Sequence, residues 1–499
     1  MSDRGQPLAE RSELSPQFGT LFMRGAVALA VRHVSVRAAT IIGTVLLARL
    51  LSPSDFGVYA IVVFVIGAFS AIGDVGLGAA LIQQRQEPAE NQIRVAFTAQ
   101  FVITLLGALA LFLAAPAISR SYGLPSGHQD VFRLLAIVLL IGVLRMPPTL
   151  KLERKLAFTA VARAESAYSV VFQGLAVVSA VAGLGALSVV IGALAGTLVS
   201  VVLLHLSSPW RPRLSWSTAV VKDLLAFGLP YQGSVILSFV KDAVNPVFIG
   251  LLAGTTAVGY VSLATTAVGY TVMLSWILNR LLFPSFARLR HEPERLGRLL
   301  QRTIRWNVFA AVGLAVVLLA APEEWITLLF GERWRPAASL LPWLGVAVPL
   351  AAAGSPGLAV MNALRRPDLT LRFTLLWVAM TWILTVPLVS ILGWWGYGPA
   401  NALVQLSAPL FFAALKSLVP VPLARDMATA VAAATAALAF AMLARVALGG
   451  NEPMASATGV VVALAGYLAI WLLLQRSTAV QDLGRAWALV TAGYWRGLR

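Results

Sequence analysis

A chain of 499 residues with 59% hydrophobic and 12% charged side chains is not a soluble globule, since soluble domains carry about 25% charged residues. It has no cysteine, which excludes a disulfide framework, a thiolate nucleophile and a cysteine metal site. Its four histidines, His33, His128, His205 and His291, show no ligand spacing. The net charge of +17 fits basic cytoplasmic loops of a membrane protein better than a nucleic-acid surface.

Residues Met1–Thr20 are polar and lack an apolar core with a small-residue cleavage site. No signal peptide is expected, and residues 1–24 read as a cytoplasmic tail. Stretches of about 20 apolar residues cross a bilayer, and Pro, Gly and charge clusters mark the breaks. Spans are predicted at 25–50, 57–82, 95–118, 128–150, 163–183, 186–206, 229–252, 258–281, 304–321, 337–362, 371–390, 396–417, 425–447 and 457–474. The fold class is therefore an all-α polytopic membrane protein with about 14 transmembrane helices. A break at Gly183-Leu184-Gly185 is required, because 163–206 unbroken would make a helix of about 66 Å, twice a bilayer.

Most of the 38 lysines and arginines fall in alternate loops. Examples are Lys151, Arg154 and Lys155, Arg211 and Arg213, the run from Arg288 to Arg305, and Arg365 with Arg366. The opposite loops hold Arg120, Arg333 and Arg335. This asymmetry predicts that both ends are cytoplasmic. The longest opposite loop, 321–336, carries Trp325, Phe330 and Trp334 as expected interface anchors. Basic residues alternating with Leu296, Leu299, Leu300 and Ile304 predict that 285–305 lies on the anionic leaflet as an amphipathic helix. No loop is large enough for a catalytic domain, and no motif for nucleophilic or metal chemistry occurs.

The chain also repeats itself. LLSPSDFGVYA at 50–60 returns as LLAGTTAVGYV at 251–261: each follows a long apolar helix, turns tightly and re-enters through Gly and Tyr. Two six-helix lobes follow, 25–206 and 229–417, joined by a cytoplasmic linker, 207–228. A helix pair, 425–474, and a cytoplasmic tail, 475–499, complete the chain. Repeats of this kind belong to transporters that rock two bundles about a central site.

The stretch LARLLSPSDFGVYA at 47–60, followed by GDVGLGAALIQ at 73–83, resembles the first hairpin of Wzx-type oligosaccharide flippases. These are members of the multidrug/oligosaccharidyl-lipid/polysaccharide exporter superfamily. The resemblance implies two lobes around a cavity open alternately to either side of a bacterial inner membrane. It also implies an undecaprenyl-diphosphate-linked oligosaccharide as cargo, membrane lipids as surroundings, and a polysaccharide polymerase and chain-length regulator as partners. Nucleic acid is not among them. Lipid II flippases of the superfamily place arginines in the first helix; Arg37 matches one such position, whereas Gly43 stands at a second.

Charge inside lipid costs about 2.5–3.5 kcal/mol even on insertion scales and marks functional paths. Arg37 lies near the middle of the first span, with Arg32 more than a turn toward the cytoplasm. Lys241 and Asp242 lie at the middle of span 229–252, Lys241 within two residues of the equivalent depth, and Asn245 follows one turn later. A diphosphate needs charge-assisted donors of this kind. Arg49, Arg280 and Arg145 sit near span ends, where they either line the path or snorkel. Lys241 and Asp242 are neighbours and can neutralise each other. Asp74 is an ion ligand or a local backbone acceptor. Asn401 and Gln405, one turn apart, face sugar hydroxyls or hold helices together. Asp74 and Asp242 are the acids well inside spans, against about six cations, so the cavity should attract an anion. No cofactor is expected, and coupling to an ion gradient is left open. The rival functions are a drug/cation antiporter of the same superfamily, which would want a carboxylate-rich cavity, and a polytopic polysaccharide polymerase or ligase, which would need an acceptor site in the short outer loops.

Overall fold

The structure is a computed structural model that describes residues 38–74, 76–84, 86–125, 127–273, 282–283, 285–420, 423–447 and 453–496. Among these every regular element is helical. Backbone inside lipid has no water to bond, and a helix pairs each N–H and C=O within its own segment. In chain order the main helices are α1 (Ala38–Leu50), α2 (Pro53–Asp74), α3 (Leu77–Gln83), α4 (Glu90–Ser121), α5 (Gln129–Val143) and α6 (Met146–Arg154). They continue with α7 (Phe158–Val181), α8 (Leu187–Ser207), α9 (Thr218–Asp242), α10 (Gly250–Thr271), α11 (Pro293–Ala320) and α12 (Pro322–Phe330). The last six are α13 (Val348–Ala363), α14 (Pro367–Leu392), α15 (Tyr397–Val404), α16 (Ala408–Leu418), α17 (Leu423–Ala447) and α18 (Pro453–Arg496).

Eleven helical stretches among the described residues are long and apolar enough to cross a membrane. The sequence predicts more spans because two of these stretches double back. Asn245 and Ser262 would lie about 25 Å apart on a straight helix, yet Asn245 Nδ2 donates to Ser262 Oγ at 2.9 Å. The reversal falls at Gly254, whose φ of 79° suits glycine. Likewise Trp377 Nε1 donates to Ser407 Oγ at 3.1 Å, with Gly393 at φ 68° between them. The first predicted span is described only from residue 38.

The chain divides into two compact units. One comprises residues 1–51, 73–117 and 126–228; the other comprises 52–72, 118–125 and 229–499. In the first unit α7 and α8 form a hairpin, and the expected break is present, with Gly183 and Gly185 both at positive φ. Gly192 and Gly196 form a G-x-x-x-G face on α8. A Cβ on Gly196 would stand 2.9 Å from the Tyr168 carbonyl oxygen, so the two helices approach at backbone distance. The linker after α8 is tied to the start of α4. Trp210 Nε1 donates to Glu90 Oε1 at 2.8 Å and Ser215 Oγ to Asn91 Oδ1 at 2.7 Å. Lys151 Nζ also reaches Glu90, at 2.9 Å, and Arg154 donates to the carbonyls of Leu81, Gln84 and Gln86. These basic residues therefore cap a helix end and bind the start of α4, to which the linker is tied.

The core of the second unit gathers α11, α13, α16, α17 and α18. Trp471 and Tyr467 of α18 stack on Phe309, with centroids 4.1 and 5.6 Å away, and Tyr467 Oη donates to the Phe309 carbonyl at 3.0 Å. The last helix pair is thus built into this unit.

Two expectations are corrected. The segment before residue 304 does not form a separate surface helix, since α11 runs unbroken from Pro293 to Ala320. Leu296, Leu300, Ile304, Val308 and Val312 all face its core, so one stripe at helical spacing carries the helix from the basic segment straight into the span. Trp334 and Phe330 are not interface anchors but buried side chains, Trp334 completely so. Tertiary contacts with Phe56 and Tyr260 claim Trp334, as described below.

Candidate functional site

Halfway through the stretch that follows the linker, Pro246 interrupts an otherwise regular helix. Proline has no N–H to give the carbonyl four residues back, here that of Asp242. The chain widens into a π-helix over Val244–Ile249 before α10 begins. Such bulges recur at functional sites. Side chains from elsewhere serve the carbonyls around it. Trp382 Nε1 of α14 donates to the Val240 carbonyl at 2.9 Å, and Tyr122 Oη to the Pro246 carbonyl at 2.7 Å.

Lys241 and Asp242 close α9 at this bulge. Lys241 Nζ lies 3.4 Å from Asp242 Oδ1, and the two side chains remain 41% and 59% exposed. Adjacent helical positions diverge by about 100°, so the lysine stem folds across to meet its neighbour. The pair leaves other ammonium donors and carboxylate lone pairs free to face outward. Tyr397, the first residue of α15, lies one turn before Asn401 and within electrostatic range of Asp242. Gln405 Nε2 donates to the Asn401 carbonyl at 3.4 Å. One turn beyond Lys241, Asn245 spends its amide N–H on Ser262, while its buried Oδ1 has no partner among the described residues.

The structure therefore pairs Lys241 with Asp242, with Asn245 one turn on, and places Tyr397, ahead of Asn401 and Gln405 on its helix, within electrostatic range of Asp242. Arg32, Arg37 and Arg280 lie outside the described residues. Arg49 is exposed near the end of α1, and Asp74 is the last residue of α2. The sequence reading missed Trp382, Tyr397 and Ser262. The available signals were Pro246 inside an apolar span and aromatic residues with polar tips at mid-span.

The two repeat signatures meet each other. A Cβ on Gly57 would collide with the carbonyl of Thr255, and one on Gly259 with the carbonyl of Pro53. Ser54 Oγ and Thr255 Oγ1 share a hydrogen bond of 2.7 Å. Trp334 receives Phe56 and Tyr260 edge-on, at 5.0 and 6.0 Å. This crossing of α2 and α10 is closed by shape, whereas the cluster at Lys241 is polar and half open.

Comparison with known proteins agrees with this architecture. A family model described as polysaccharide biosynthesis protein matches residues 46–339. The succinoglycan biosynthesis transport protein ExoT of Rhizobium meliloti (strain 1021) is 27% identical, over 60% of this chain and 61% of its own. The teichuronic acid biosynthesis protein TuaB of Bacillus subtilis (strain 168) is 25% identical, over 59% of this chain and 62% of its own. The chain thus spans less than two thirds of the length of these two relatives. The lipopolysaccharide biosynthesis protein WzxC of Escherichia coli (strain K12) is 23% identical, over 70% and 71%. Among solved structures, the lipid II flippase MurJ in an inward closed conformation superposes with a TM-score of 0.74. It covers 90% of this chain and 100% of its own at 12% identity. An inward-facing multidrug resistance MATE family transporter of the MOP superfamily gives a TM-score of 0.60 at 15% identity, over 76% and 94%. These two share the fold.

Proposed function

The chain belongs to the polysaccharide biosynthesis protein family, and from that premise we propose that it turns an undecaprenyl-diphosphate-linked oligosaccharide from the cytoplasmic to the periplasmic leaflet by alternating access. The observation that carries this reading is the half-exposed Lys241–Asp242 pair at a π-bulge in mid-span. A cation held at bilayer depth needs a reason, and this one has a carboxylate beside it that an incoming diphosphate can replace. The diphosphate displaces Asp242 from Lys241, and Asn245, Asn401 and Gln405 supply neutral polar contacts around it. Arg37, with Arg32, Arg49 and Arg280, adds positive charge along the path. Asp242, released, is the group through which a coupling cation acts.

The crossing at Gly57 and Gly259 serves as the outer closure: small residues let α2 and α10 seal backbone to backbone, with Trp334 packed against Phe56 and Tyr260 beside them. Both chain ends lie in the cytoplasm of a bacterial inner membrane. A polymerase and a chain-length regulator take over the cargo on the far side.

Deletion of the protein in its host tests the reading. Surface polysaccharide is expected to disappear while its undecaprenyl-diphosphate-linked precursor accumulates, and the wild-type chain restores both. Unchanged surface polysaccharide would refute the function. In the Cys-free chain, an impermeant thiol reagent is expected to label Glu332→Cys but not Glu294→Cys; the opposite pattern would invert the topology.

A further inference from the structure

The first unit holds a second polar group that the diphosphate reading does not use. Gln173 of α7 lies near mid-helix and is 6% exposed, and its Oε1 is buried without a partner among the described residues. It is packed against Gly43 of α1. A Cβ built on Gly43 would lie 2.7 Å from Gln173 Cδ and closer still to Oε1. Any side chain at 43 would expel the amide, so glycine there is what admits it. One turn nearer the start of both helices, Thr40 Oγ1 and Ser169 Oγ stand 3.4 Å apart. Next to Ser169, the half-buried Tyr168 ring lies 5.4 Å from the Arg145 guanidinium. The pairs 43/173 and 40/169 follow in the same order along both helices, so α1 and α7 run parallel, and the hydroxyls and the amide line their contact, while the Tyr168 ring turns toward Gly196 of α8 and stacks on Phe172.

Polar side chains between membrane helices ordinarily act as glue by bonding across the interface. Gln173 does not fit that role. Gly43 offers it no side chain to bond, and an orphaned buried acceptor costs stability that leucine or methionine would spare. An amide acceptor and two hydroxyls form a set suited to a neutral, hydroxyl-rich ring. Sugar O–H groups donate to the amide and hydroxyl oxygens.

We propose that the strip formed by Thr40, Gly43, Ser169 and Gln173 is a carbohydrate-reading site, with Gln173 accepting a hydrogen bond from a sugar hydroxyl. The proposal rests on the reading of the chain as an oligosaccharide flippase and names the groups that bind the sugar, apart from the diphosphate. The strip's half-buried end at Thr40 is where the sugar enters, and Gln173 sits at the covered end.

The test uses the purified full chain in lipid nanodiscs and two probes. One is undecaprenyl diphosphate, which has no sugar. The other is the undecaprenyl-diphosphate-linked oligosaccharide extracted from a host lacking the protein. Gln173→Leu is expected to weaken the sugar-bearing probe about tenfold, or ~1.4 kcal/mol, and to leave the sugarless probe within about twofold. Gln173→Met, close in length to the native side chain, should do the same, which separates the lost amide from poor packing. Gly43→Ala should reproduce the selective loss by expelling the amide. Lys241→Ala should weaken both probes together. Equal affinity of wild type and Gln173→Leu for the sugar-bearing probe would overturn the site. So would equal loss for both probes, which would mark Gln173 as structural. A selective loss at Gln173 with no effect of Lys241→Ala would instead overturn the diphosphate reading and keep this one.

Discussion

Two regions of the second unit lie on the same stretch of chain and solve opposite problems. At the α2–α10 crossing, Gly57 and Gly259 bring backbone against backbone, one hydroxyl pair closes the contact, and Trp334 is sealed between two aromatic rings. At the π-bulge the backbone is loosened, carbonyls are served by side chains from other helices, and an ion pair stays half exposed. The first region is specified by volume and tolerates nothing larger. The second is specified by charge and leaves donors and acceptors to be exchanged. The proposed flippase function needs both, a seal that recognises only itself and a site that gives up its own partner for the cargo.

Substitutions should separate the two along these lines. The largest effect is expected at the crossing. Gly57→Leu puts a branched side chain where the Thr255 carbonyl stands, and overpacking of this kind costs about 1–3 kcal/mol or more. Its melting temperature and its level in the membrane should both fall. A stable, fully active Gly57→Leu protein would mean that α2 and α10 do not close against each other.

Lys241→Ala should do the reverse, abolishing polysaccharide export while the protein remains folded at normal levels. Lys241→Arg should retain part of the export, because charge survives in a different shape. Loss of protein in Lys241→Ala would make the pair structural and merge the two regions into one class.

A smaller effect is expected at Trp382→Phe, which keeps the ring but removes the donor to the Val240 carbonyl. One hydrogen bond is worth about 0.5–1.5 kcal/mol, and the bulge, rather than the whole fold, should feel it. Faster hydrogen exchange confined to residues near 240–249 would show this. Smallest of all, Thr255→Val deletes one hydroxyl bond between helices, worth about 0.6 kcal/mol in comparable proteins. A shift in melting temperature far larger than that of Gly57→Leu would reverse the ranking and make the hydroxyls, not the glycines, the seal.

Much of this was legible in the sequence because lipid makes hydropathy and charge so informative. Helix existence, the turn at Gly183–Gly185 and the Gly57/Gly259 correspondence all follow from local residues. The repeat even pointed to its own partner, though nothing in a one-dimensional comparison says that equivalent glycines touch. Lys241, Asp242 and Asn401 were singled out by depth and type. The nearness of Tyr397 to Asp242 was not, because Tyr397 reads as one more aromatic residue in an apolar run. Pro246 carried a signal for the π-bulge that hydropathy averages away. Trp334 was misread because tryptophan near a span end is equally suited to a membrane interface and to a packed crossing; only the approach of α2 and α10 decides between them. The segment before 304 was misread for a related reason. A basic amphipathic stripe has the same pattern whether its apolar face meets lipid or Val308 and Val312 of its own continuation.

The central claim is that Lys241 exchanges Asp242 for the diphosphate of the cargo, and binding of undecaprenyl diphosphate to the purified chain tests it most directly. Affinity should fall at least about tenfold in Lys241→Ala, the factor that corresponds to ~1.4 kcal/mol. It should rise in Asp242→Asn, where the carboxylate no longer competes for the ammonium. Unchanged affinity in Lys241→Ala, or weaker binding in Asp242→Asn with the fold intact, would contradict the exchange.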